Sequence, residues 1–83
     1  MMKINRYKDK INIIGPNIRS IRKQANISQE DLCARLQVLD FQINRSDISK
    51  IENGVKFIAD FEVIGFAKVL KVSIEDLYLG IEI

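Results

Sequence analysis

Three times in 83 residues the same local signal recurs: a small polar side chain followed three positions later by an aspartate. Ser28 precedes Asp31 in SQED, Asn44 precedes Asp47 in NRSD, and Ser73 precedes Asp76 in SIED. Side chains in this arrangement satisfy backbone N–H groups that lack a partner in the first turn of a helix, so each marks a helix start. Gly15-Pro16 marks a fourth, because proline has its φ preset for the first helical position and loses no bond there. Ala59 is the expected cap of a fifth. It has no side-chain oxygen, so Asp60 and Glu62 in the first turn must meet the helix dipole. Starts this close together leave room only for short helices on short loops, which is an all-α bundle.

Apolar periodicity fills in the helices. The spacing predicts helix 1 over 16–25 with Ile18, Ile21 and Ala25 on one face, and helix 2 over 29–39 with Leu32, Cys33, Leu36 and Leu39. Helix 3, over 45–53, turns Ile48 and Ile51 inward and leaves Arg45, Ser46, Ser49, Lys50 and Asn53 on its other side. Helix 4, over 60–70, buries Val63, Phe66, Ala67 and Leu70, and helix 5, over 74–79, contributes Ile74, Leu77 and Tyr78. Asn26 and Asn53-Gly54 are the stops, since Asn and Gly tolerate the left-handed conformation that ends a helix. Residues 1–13 have no helical period and are expected as a loose basic arm, 14–79 as the folded domain, and 80–83 as a short tail. Leu79, Ile81 and Ile83 alternate with other residues in a strand-like pattern.

Composition narrows the function classes. A chain with 47% hydrophobic and 29% charged residues suits a soluble globular domain, and its length allows one such domain. With no His and only Cys33, there is neither an internal disulfide nor a Cys/His zinc site, so no metal or cofactor is implied and a reducing cytoplasm is expected. There is no Gly-rich phosphate loop and no nucleophile beside a base, so an enzyme is not expected. Net charge is only +2, but its distribution is uneven: residues 1–27 carry +6 and residues 51–83 carry −3. Such asymmetry suits a molecule that presents one face to nucleic acid, or else a solvated basic tail.

A helix opened by SQED, followed by one opened by NRSD with a polar, partly basic outer face, is what a helix-turn-helix needs. One helix lies across the backbone while the next enters the major groove. The segment from Ile14 to Leu77 resembles the lambda repressor/Cro-like (XRE) helix-turn-helix domain. IGPNIRSIR, ISQEDLCARL, ISKIENG and AKVLKVSIEDL carry the resemblance. Leu36 and Ile48 stand twelve apart, longer than the family's shortest pattern, which is similar to a long-turn variant.

The resemblance implies a five-helix lambda repressor-like DNA-binding bundle with its helix-turn-helix at helices 2 and 3. Gln29, opening helix 2, corresponds to a glutamine that bonds a phosphate and braces a base-reading side chain. Arg45, Ser46, Ser49 and Lys50 correspond to base-reading positions, Asn53 to a phosphate contact, and Arg22 with Glu52 to a structural ion pair. Arg and Lys suit the paired acceptors of guanine, while Ser is a versatile donor. Asn17 and Arg19 are expected to add phosphate contacts. Cys33 stands where the family usually has Ala, which implies a buried core thiol.

The expected function is that of a cytoplasmic, sequence-specific double-stranded DNA-binding transcriptional regulator. It would be a repressor bound as a homodimer to a near-palindromic operator, with half-sites about 34 Å apart. Helix 5 and the C-terminal tail are the candidate dimer interface, and the basic arm adds sequence-independent affinity. The alternative is a protein-interaction module such as an antitoxin-like subunit on the same scaffold. That module would need apolar or aromatic anchors on helix 3, and the sequence puts none there.

Overall fold

The computed structural model describes residues 7–82. Five helices follow in order: α1 Gly15–Gln24, α2 Gln29–Val38, α3 Arg45–Glu52, α4 Asp60–Leu70 and α5 Ile74–Leu77. The three polar starts act as caps. Ser28 Oγ accepts from the Asp31 amide at 3.0 Å. Asn44 with Asp47 and Ser73 with Asp76 form reciprocal boxes at 2.8–3.0 Å. At α4 only half a box is possible: the Ala59 amide donates to Glu62 at 2.7 Å. Asn26, Asp40 and Gly54 follow helices with positive φ and turn the chain away.

The core is one cluster in which Ile18, Leu32, Leu36, Ile48, Ile51, Phe66 and Leu77 are almost wholly buried. α3 packs against α1 and α2, and α4 against α1, α2 and α5. Several inward assignments need correcting at helix ends. Ala25 and Leu39 are exposed C-caps, because α1 and α2 each stop one residue short of the expected end. Ile74 and Tyr78 are also exposed, since α5 is a single turn that can press only Leu77 into the core. The tail forms no strand through residue 82. Gly80 has φ +79°, the Ile81 amide bonds Tyr78, and Ile81 packs on the core.

The N-terminal segment is not loose over its described part. Tyr7 and Lys10 exchange two backbone hydrogen bonds of 2.9 Å around Lys8 and Asp9, both at positive φ, which makes a tight two-residue turn. The Tyr7 hydroxyl donates to the carbonyl of Glu82. Ile11 bonds the Gly54 carbonyl at 2.9 Å. Asn12 is buried, and its amide donates to the carbonyls of Ile51 and Lys56 at 3.0 and 2.9 Å. Its oxygen accepts from the Gly15 amide at 2.7 Å, giving α1 a cap from three residues upstream. Lys3 and Arg6, also assigned to the arm, lie outside the described residues.

Asn12 draws the start of α1 tightly onto the end of α3. A Cβ on Gly15 would lie 1.9 Å from the Ile51 carbonyl oxygen, a backbone atom that cannot step aside. Gly15→Ala should therefore lower stability by about 1–3 kcal/mol. Urea unfolding would read this as a lower midpoint with an unchanged slope, and a midpoint equal to wild type would contradict the packing described.

Candidate nucleic-acid interface

The path from α2 to α3 runs through residues 39–44. Asp40, at φ +65°, turns the chain out of α2. Ile43 is buried, and its carbonyl accepts from Gln37 Nε2 at 2.9 Å and from the Cys33 thiol at 3.4 Å. Phe41 stacks on Phe61 with ring centroids 6.2 Å apart and lies against Gly65. The long turn is thus tied to both α2 and α4, and it delivers α3 in a fixed orientation. On α3, Ile48, Ile51 and Glu52 point inward. Arg45, Ser46 and Lys50 are exposed and Ser49 is half-buried, so the four expected base-reading residues share the outer side.

Behind that face sits a buried ion pair. Arg22 Nε meets Glu52 Oε2 at 2.6 Å, and Arg22 Nη2 meets Glu52 Oε1 at 2.9 Å, a two-pronged bond from α1 to α3. Arg22 Nη1 also donates to the Ile27 carbonyl at 2.9 Å, while Gln29 Nε2 donates to Glu52 Oε1 at 3.1 Å. The hydrogen bond to Glu52 holds the Arg22 guanidinium above its ordinary range, against the desolvation that would lower it. α1, the start of α2 and the end of α3 therefore converge on one carboxylate.

The remaining expected residues divide. Gln29, half-buried, is braced against Glu52 at the first turn of α2. Asn53 caps α3, and it lines a cleft with Arg19. Asn17 is a correction. Two residues before Arg19, it points to the other side of α1, and its amide donates to the carbonyls of Leu77 and Leu79 at 2.7 and 3.0 Å. It ties α1 to the C-terminal segment instead of facing the cleft. Asp47 is occupied as the cap of α3, as its spacing from Asn44 implies, and lies 3.9 Å from Lys56. Arg45 is 3.3 Å from Glu30, an exposed pair that constrains it weakly and leaves it able to reach outward.

A helix-turn-helix family model matches residues 18–77, well over half of the chain. The chain belongs to the lambda repressor/Cro-like helix-turn-helix family. Comparisons with curated proteins and with solved structures gave no match. The family is one of DNA-binding regulators, and α2 and α3 are the helix-turn-helix of this DNA-binding protein. Among the described residues no helix is long and apolar enough to cross a membrane.

Sequence reasoning gave Lys23 no role and read Lys10 only as part of a loose basic arm. Lys10 and Lys23 line the cleft beside Arg19 and Asn53. Lys23 follows Arg19 by four residues, a spacing that places both on one helix face and was readable. The place of Lys10 depends on hydrogen bonds to residues more than forty positions away, and nothing local announces them.

Because both partners are buried, removing one strands the other. Arg22→Ala or Glu52→Ala should each cost about 3–5 kcal/mol in urea unfolding, while Arg22→Met with Glu52→Leu should cost much less than the sum. A double mutant as unstable as the added singles would show that the two side chains act independently and not as one matched, desolvated unit.

Proposed function

We propose that this helix-turn-helix protein is a sequence-specific transcriptional regulator of the cytoplasm, a repressor that occludes a promoter by placing α3 in the major groove. The carrying observation is the outer side of α3: Arg45, Ser46, Ser49 and Lys50 lie together with no apolar residue among them, ahead of Asn53 at the helix end. Arg45 and Lys50 would address guanine acceptors and the serines would donate or accept as the base demands. Gln29, Asn53 and Arg19 would hold phosphates and so fix the register of the reading face. Selection of tight binders from a random duplex library tests this directly. The expected result is an enriched sequence whose affinity falls steeply with salt. Arg45→Ala or Lys50→Ala should relax preference at one position by about 1–3 kcal/mol. Unchanged preference in both variants would remove α3 from the reading.

The same proposal includes a homodimer on a near-palindromic operator, joined through α5 and the tail. Leu79 is 66% exposed and Ile74 and Tyr78 are exposed beside it, which supports an apolar contact there, while Ile83 lies outside the described residues. Other exposed apolar side chains lie away from α5 and offer an alternative interface. Phe61 and Val38 are 61% and 82% exposed, with Phe57 and Ile64 also exposed, and none of them is on α3. Sedimentation equilibrium separates the two. Leu79→Glu should dissociate the dimer and Phe61→Glu should not, and the reverse pattern would move the interface to α4.

A further inference from the structure

We infer that the cleft between the N-terminal turn, α1 and the end of α3 holds a backbone phosphodiester of the DNA, with Lys10 and Lys23 as anchoring residues. The inference rests on the proposed entry of α3 into the groove. The cleft is open to solvent, has a volume of about 520 Å³, and is lined by Lys10, Arg19, Ser20, Lys23 and Asn53, together with Pro16 and Glu52. Glu52 is the one acid on its wall, and Arg22 already neutralises it through two short bonds. Three cations therefore face the space without a free carboxylate among the lining residues. Asn53 stands on the rim directly after α3, so a strand whose groove receives α3 passes the mouth of the cleft.

The site is built before any ligand arrives. Lys10 Nζ donates to the Asn53 carbonyl at 3.1 Å, which covers the negative end of α3 and leaves two of its three N–H groups for an anion. Its stem lies across Gly54, where an added Cβ would fall 2.7 Å from Lys10 Cδ. The backbone beneath is held by Ile11 to Gly54 and by the three bonds of Asn12. A fixed turn of this kind pays little ordering entropy on binding, unlike a loose arm. The segment lies ahead of residues 18–77, the part matched by the helix-turn-helix family model.

The test compares wild type, Lys10→Ala and Lys23→Ala on the enriched duplex and on a duplex of arbitrary sequence, across a salt series. Both lysines are exposed, so the variants should fold, and circular dichroism checks it. Each substitution should weaken both duplexes by the same factor and reduce the slope of log K against log salt by about 0.9 per bound protomer, with base preference unchanged. A scan of single methylphosphonates along the enriched duplex should find one position in each half-site where neutralising the phosphate weakens wild type but not Lys10→Ala. Wild-type salt slopes in both variants, or no coupled position in the scan, would overturn the inference while leaving the reading by α3 intact. If inorganic phosphate alone saturates the cleft in amide-shift titrations and no backbone position couples to Lys10, the site takes a free anion and the inference is wrong. If wild type enriches no sequence and binds no duplex, the reading by α3 has failed and the inference fails with it.

Discussion

The bond between Arg22 and Glu52 sets the geometry on which the remainder of this protein depends. It lies in the interior, where each charge alone would be severely destabilised, and it joins α1 to the last turn of α3 with both prongs engaged. Gln29 adds the first turn of α2 to the same carboxylate, and the Ile27 carbonyl fixes the third guanidinium nitrogen. Such a pair adds little net stability over well-packed apolar residues, because the attraction mainly offsets lost hydration. Its effect is on arrangement. Any rotation of α3 about its axis would carry Glu52 away from Arg22 and leave two charges unpaired. The outer face of α3 is thereby held at one angle relative to the start of α2, and these are the two helices of the helix-turn-helix.

A second constraint closes the fold from the other end. Asn12 satisfies the first amide of α1, the carbonyl of Ile51 and the carbonyl of Lys56 at once. Gly15 is the residue that lets these backbones approach. The Tyr7 hydroxyl then joins this turn to the carbonyl of Glu82, and Asn17 joins α1 to Leu77 and Leu79. The two ends of the described chain are therefore stitched to the same helix, and a domain this small gains from having few free ends. Among the described residues no buried side-chain nitrogen or oxygen lacks a partner, so these polar ties are fully matched within the core they border.

What the sequence made legible was local. The capping pairs at Ser28, Asn44 and Ser73 act within four residues, and all three helix starts stand where those pairs fall. The stops at Asn26 and Gly54 follow from backbone preference alone. Ile18, Leu32, Ile48 and Phe66 are buried as their period requires. The helix-end residues fit the period equally well, yet Ala25, Leu39 and Tyr78 are C-caps beyond the last turn, and Ile74 opens the single turn of α5 outside the core. Asn12 and Lys10 were read as part of a loose arm because their partners are Ile51, Asn53 and Lys56, far along the chain. For Asn17, residue type suggested a phosphate donor, and only its angle on α1 relative to Arg19 shows that its amide serves the C-terminal carbonyls.

α3 has eight residues, too few for a helix to persist alone in water. It exists because Asn44 and Asp47 satisfy its first turn, Ile48 and Ile51 bury its inner side, and Glu52 and Gly54 fasten its end. Each of these residues faces inward or sits at a terminus. Arg45, Ser46, Ser49 and Lys50 contribute almost nothing to that support, and the weak pair between Arg45 and Glu30 is their main tie to the fold. The division has a physical consequence: the residues that form the helix and the residues that face outward are different sets on the same eight positions. Substitution on the outer set therefore changes what α3 can contact at little cost in stability, whereas substitution on the inner set removes the helix itself.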